Sequence, residues 1–160
     1  MKAINQIIDD YIRHGKPELN KHLKQLAKSE TPDVLSGRTK KAVETFLNRE
    51  KQILPRITAE MSIDDLNDLV YDTFMDIPGI GEQTLTDYML MMAYRFDIPV
   101  EANCISLLTR TVKRNLLLSG LINGKKVRLG KIENLFKGFS TEELADFLNK
   151  NHHIVIKNWN

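Results

Sequence analysis

Ile77-Pro78-Gly79-Ile80-Gly81 stands between one helical pattern ending near Met75 and another opening near Glu82. Two glycines two positions apart admit backbone conformations that a Cβ forbids. They also leave amide N–H groups bare at the start of the second helix, where the dipole and its unpaired donors favour an anion. Pro78 presets φ for the turn, and Ile77 and Ile80 are placed to anchor it in a core. The chemistry this permits is capture of a phosphate by main-chain N–H groups. The alternative is an ordinary αα-hairpin whose glycines serve close helix packing. A second charged feature lies downstream, where Arg110, Lys113 and Arg114 share a helix face and Lys125, Lys126, Arg128 and Lys131 follow. Such a patch gives sequence-independent, salt-sensitive phosphate contacts, or is a solvated basic face. Glu101 falls near a helix N-terminus, where the dipole alone favours a carboxylate. His152 and His153 are adjacent and so face apart on a helix. Helical metal ligands sit three or four apart, so no metal site built from side chains is expected. The single cysteine, Cys104, excludes an internal disulfide and a cluster held by four thiolates of this chain.

At 160 residues, 42% hydrophobic and 28% charged, the chain has the length and composition of one globular domain with a single core. No apolar run approaches the ~20 residues that span a bilayer. The N-terminal Met1-Lys2-Ala3-Ile4-Asn5 lacks a signal-peptide core, so an intracellular protein without membrane contact is expected, in cytoplasm and nucleoid or in the nucleus. Net charge is only +2, but its distribution is uneven. Residues 61–105 hold one basic and nine acidic residues, a net of −8, and residues 106–139 hold eight and one, a net of +7. The basic block is a candidate nucleic-acid footprint, and the acidic 61–105 region a candidate surface for a protein partner.

The elements that must position these groups read as helices. Ile4, Ile7, Ile8, Tyr11 and Ile12 recur at helical spacing, with His14-Gly15 as a stop, and Pro17 opens a second helix through Leu19, Leu23 and Leu26. Residues 29–38 read as a loop with at most a short turn, and a third helix runs from about Thr39 to Leu54, before Pro55. Ser62 and Asp65 resemble a capping box for a helix with Ile63, Leu66, Leu69, Val70 and Phe74 inward and Asp64, Asp65, Asp68 and Asp72 mostly outward. After the glycine turn a helix spans Glu82 to about Phe96, with its methionines expected in the core. Pro99 breaks the chain before a helix from about Cys104 to Leu118. Residues 119–130 read as a loop or tight turn, a short helix covers Lys131–Lys137, and Ser140 with Glu143 caps a helix through Asn149. The tail to Trp159 is apolar enough to dock. No strand-like alternation appears, so the expected fold is all-α: N-terminal helices over 1–60, a helix-hairpin-helix core over 62–112, and a basic loop with C-terminal helices over 113–160.

The run Ile77-Pro78-Gly79-Ile80-Gly81, then Thr84, an apolar helix, Pro99-Val100-Glu101-Ala102-Asn103 and Arg110-Thr111 resembles the endonuclease III-like helix-hairpin-helix DNA glycosylase superfamily. That family carries a Leu-Pro-Gly-Val-Gly hairpin, a Thr-Ala helix and a Val-Asp-Thr-His or Leu-Asp-Gly-Asn segment. From the hairpin to Thr111 the match needs no gap. Lys41-Ala42-Val43 is similar to the Lys-Ala helix that precedes the family's hairpin, and His152-His153 with Ile156 to its His-rich final helix. The resemblance implies a compact or truncated helical glycosylase-like domain that grips double-stranded DNA through the main-chain N–H groups around Pro78, Gly79, Ile80, Gly81 and Thr84. It also implies a monovalent cation at the hairpin carbonyls and an extruded base. The basic side chains Arg110, Lys113, Arg114, Lys125 and Lys126 then become phosphate contacts.

The implied chemistry is loss of a base from its sugar, after flipping exposes the bond. Glu101 falls where the family has its aspartate, and Asn103 matches the Leu-Asp-Gly-Asn variant. They are the expected acid, or electrostatic stabiliser, and a positioning group for water or sugar. Glu101 adds one methylene of reach, so it is a working acid, a weakened one, or only a helix-terminal charge. Gln83 occupies the family's lysine position, and an amide cannot form a Schiff base. Hydrolysis without lysine-dependent strand cleavage is therefore expected, with no iron–sulfur cluster. The alternatives are a catalytically inactive module that binds DNA or a protein, and another base modification on the same fold. Asp76, Glu82 and Asp87 crowd the turn and repel a phosphate unless they point away.

Overall fold

Helical periodicity carries through to the backbone over most of the chain. The computed structural model describes residues 3–100 and 104–160. Among these the elements are α1 (Ile4–Asp10), a π-helical turn (Tyr11–Gly15), α2 (Lys16–Leu26), α3 (Thr31–Val34), α4 (Lys40–Ile53), α5 (Ile63–Phe74), α6 (Glu82–Arg95), α7 (Arg110–Leu118), strands β1 (Ile122–Asn123) and β2 (Lys126–Val127), and α8 (Thr141–Asn158). The fold is mostly helical, as the all-α reading expects. The chain divides into two compact units, Lys24–Pro99 and the pair of segments Met1–Leu23 with Val100–Asn160.

The unit Lys24–Pro99 is built around α6. Thr84, Leu85, Thr86 and the run Tyr88 to Ala93 are all buried, so this helix is apolar on nearly every side, as a buried helix must be. The methionines Met89, Met91 and Met92 are core, as expected. Against α6 stand α5, through Leu66, Val70 and Phe74, and α4, through Phe46. The Phe46 and Phe74 rings stack at 3.7 Å, and Tyr88 meets both edge-on at 4.9 and 5.3 Å. Full burial of such side chains contributes roughly 1.5–3 kcal/mol each. One polar group is set into this core. The Glu50 carboxyl accepts from the Thr31 hydroxyl and, at 2.8 Å, from the Tyr88 hydroxyl. Burial, and then the charge of Glu50, push the Tyr88 hydroxyl well above the usual tyrosine range, so it stays a donor. Thr39 caps α4 and Ser62 caps α5, each accepting from the amide three residues on.

The other unit departs from the sequence reading in several places. His14-Gly15 does not end the first helix. A Cβ on Gly15 would lie 2.6 Å from the Tyr11 ring, so the glycine lets that ring fold over the backbone while a π-helical turn carries the chain on into α2. Tyr11 is thereby buried, donates to Asp146 Oδ2 at 2.8 Å, and packs with Phe139 and Phe147. The helix expected from Cys104 is broken. A 3₁₀ turn spans Ile105–Leu107, Leu108 is extended, and Thr109 caps α7 through Val112 N–H. The Asn149 side chain fixes the break, accepting from Thr109 N–H and donating to Leu107 C=O. Residues 119–130 contain a small antiparallel ladder, Ile122 opposite Val127 and Asn123 opposite Lys126, turning at Gly124 with φ +64°. Gly130–Phe136 is 3₁₀ rather than α. Beyond Asn149, α8 continues to Asn158 with non-helical φ/ψ at Asn151. The tail docks as expected. Lys131 N–H donates to the Trp159 carbonyl at 3.1 Å, and a Cβ on Gly130 (φ +54°) would sit 2.2 Å from that oxygen.

Candidate nucleic-acid interface

The hairpin closes as its sequence suggests. Ile77 and Ile80 are buried, while Pro78, Gly79 and Gly81 are exposed. Ile80 N–H bonds back to Ile77 C=O, and Gly79 takes φ +89°, a conformation that strains any residue with a Cβ. Gly81 caps α6 with no side-chain acceptor of its own. Among the described residues, no backbone carbonyl accepts from the amides of Gly79, Gly81 or Gln83, and the three residues lie exposed at the start of a 14-residue helix. The turn is thus a set of bare donors at the positive end of a dipole.

The side chains around the turn are arranged differently from the expectation. Thr84 is buried and its hydroxyl accepts from Arg38 Nη2 at 2.7 Å, so it holds a guanidinium beside the turn instead of facing outward itself. Arg38 lies 46 residues upstream, beyond the reach of any local pattern. It follows Gly37, whose φ of +81° turns the chain into α4. The start of α4 also meets the hairpin, with Ala42 Cβ 3.9 Å from where a Gly79 Cβ would stand. The expected acidic crowding is partly neutralised. Arg49 bonds the Asp76 carboxylate and the Thr73 carbonyl, and its bond to Asp76 holds that carboxyl below the usual range. The Gln83 amide donates to Asp87 at 3.2 Å, so its side chain runs along the helix.

The basic groups gather in the other unit. Arg110 opens α7, and Lys113 and Arg114 follow at helical spacing on its outer side, both exposed. β1 packs on α7, and Arg128 N–H bonds Leu121 C=O just past the helix. Lys125, Lys126, Arg128 and Lys131 are exposed on and after this ladder. Among the described residues, Lys113, Arg114, Lys126 and Arg128 have no carboxylate within salt-bridge distance. The outer face of α7 ends in Leu117 and Leu118, 56% and 79% exposed, a feature the sequence reading did not single out.

Glu101 and Asn103 lie outside the described residues. His152 and His153 do not face apart. Their ring centroids are 3.9 Å apart, because the break at Asn151 resets the helix just before them. His152 is buried against α7, with Nε2 3.2 Å from the Asn115 amide nitrogen and Nδ1 without a partner. Burial, and then His153, lower its pKa. Among the described residues no three His, Cys, Asp or Glu side chains converge as a metal site, and no helix is long and apolar enough to cross a membrane. Burial pushes the Cys104 thiol up to about 12, so it is no thiolate.

No protein-family model, no curated protein and no solved structure matches this chain.

Proposed function

We propose that this protein binds double-stranded DNA through sequence-independent backbone contacts, and that it hydrolyses the N-glycosidic bond of a flipped base. The observation that carries the binding half is the turn Ile77–Gly81. Among the described residues it leaves the amides of the exposed residues Gly79, Gly81 and Gln83 without a backbone acceptor at the head of α6, beside the Arg38 guanidinium. A phosphate oxygen supplies what those donors lack. The unpaired cations Lys113, Arg114, Lys126 and Arg128 add sequence-independent affinity. The turn carbonyls are the groups that would hold the monovalent cation implied by the resemblance. Those of Ile77 and Gly81 each accept one amide, leaving a second lone pair. Such an ion supplies positive charge next to the phosphate.

The hydrolytic half rests on the resemblance, with Glu101 as the acid or electrostatic stabiliser and Asn103 as the group that positions water or sugar. Gln83, an amide bonded to Asp87, cannot be a Schiff-base nucleophile, so no lysine-dependent lyase step belongs to this reading. The test is incubation with duplexes carrying assorted damaged bases, scored for abasic sites by alkaline cleavage. Wild type is expected to produce them, and Glu101→Gln to lose them by at least about 100-fold, the scale of one general-acid contribution. DNA binding with no abasic product on any substrate would leave a non-catalytic DNA-binding module.

A further inference from the structure

The ladder that follows α7 turns on Asn123-Gly124, the one Asn-Gly step in the chain. Asn123 ends β1, both residues are exposed, and Gly124 takes φ +64° with open space where a Cβ would stand. Among the described residues, no hydrogen bond holds the Asn123 side-chain amide and no backbone carbonyl accepts from Gly124 N–H. A side-chain amide carbon and the next backbone nitrogen thus stand side by side, both uncommitted. Glycine leaves that nitrogen unshielded, since no side chain overhangs it. Two ladder pairs and a turn exposed throughout belong to the easily opened parts of a fold. The register also sets Lys126 opposite Asn123. Residues so paired stand about 4.5–5.5 Å apart at Cβ. Among the described residues Lys126 has no carboxylate within salt-bridge distance, so its ammonium favours negative charge at the turn.

We propose that Asn123 is a site of spontaneous covalent modification, in which the Gly124 nitrogen attacks the asparagine side chain. The nitrogen gives its proton to solvent and bonds Asn123 Cγ. The bond from Cγ to the side-chain nitrogen breaks, and ammonia leaves. Lys126 stabilises the anion that forms on the way. The five-membered imide then takes up one water at either carbonyl. Opening at Cγ leaves aspartate, and opening at the backbone carbonyl leaves isoaspartate, with the chain routed through Cγ. The sum is an amide and water giving a carboxylate and ammonium. Each event sets a carboxylate opposite Lys126 and lowers by one unit the charge of the face that holds Lys125, Lys126 and Arg128. Hydrolysis does not restore the amide, so the change runs one way. The step requires neither DNA binding nor glycosidic hydrolysis.

Peptide mass spectrometry of the full chain, incubated in heavy-oxygen water at mildly alkaline pH, tests it. Wild type is expected to take one solvent oxygen at Asn123 ahead of its other asparagines, as a mixture of aspartate and isoaspartate. Direct hydrolysis of the side chain gives aspartate alone, so isoaspartate reports the attack by the Gly124 nitrogen. Lys126→Gln is expected to slow the reaction about two- to fourfold at low salt, the effect of one unit charge about 5 Å away in water. Circular dichroism confirms that the variant keeps its helices, with Lys126→Ser in its place where it does not. An Asn123 that stays intact or reacts after another asparagine, aspartate without isoaspartate, or equal rates in wild type and the Lys126 variant would each overturn the proposal.

Discussion

Glu50 sits inside the unit Lys24–Pro99 with two hydroxyl donors and, among the described residues, no basic partner within salt-bridge distance. Removing its carboxyl leaves the Thr31 and Tyr88 hydroxyls without the acceptor they share. Glu50→Ala is therefore expected to cost about 2–4 kcal/mol in urea unfolding, most of it from two buried donors left unpaired. His152 gives the second prediction at this scale. Burial lowers its folded pKa below the ordinary value near 6.5, so the unfolded chain binds the proton more readily. Stability contributed by the neutral ring is whole above the unfolded pKa and is lost as pH falls from there towards the folded pKa. Thermal melts between about pH 7 and pH 5 are expected to show a falling Tm whose pH slope is reduced in His152→Gln. Neither arrangement was legible in the sequence, because Glu50 meets Tyr88 across 38 residues and His152 meets Asn115 across 37.

Helices α4, α5 and α6 were readable because each pairs a cap or turn signal with a clear period of apolar residues. Ile77 and Ile80 were readable as anchors for the same reason. Elements failed to follow the sequence where side-chain packing or a distant partner outweighed local preference. Gly15 reads as a stop, yet its missing side chain makes room for the Tyr11 ring and the helix continues. Thr109 reads as helix interior, yet Asn149, 40 residues away, holds the break that makes it a cap. In the hairpin, Gly79 and Gly81 separate two uses of glycine. Neither would bring a methyl group into a clash, but only Gly79 has positive φ. Gly79→Ala is expected to cost about 1–2 kcal/mol through backbone strain. Gly81→Ala is expected to shift stability by no more than about 0.5 kcal/mol either way, since its φ of −91° suits any residue. Equal losses in paired denaturant titrations would contradict the turn geometry.

At the scale of the whole molecule, charge is sorted along the chain, with an acidic face on α5 and a basic one on α7 and the ladder after it. A net charge of +2 hides this separation, and the sequence showed the blocks without showing which groups stay unpaired. The proposed DNA binding requires the basic face and the hairpin to answer to salt. The most direct measurement is the affinity for an undamaged duplex, by fluorescence anisotropy, between about 50 and 200 mM salt. A linear fall of log affinity with log salt is expected, and Lys113→Ala or Arg114→Ala is expected to make its slope shallower by about 0.9 for each phosphate no longer neutralised. Absence of binding at the lowest salt, or affinity indifferent to salt and to both substitutions, would contradict it.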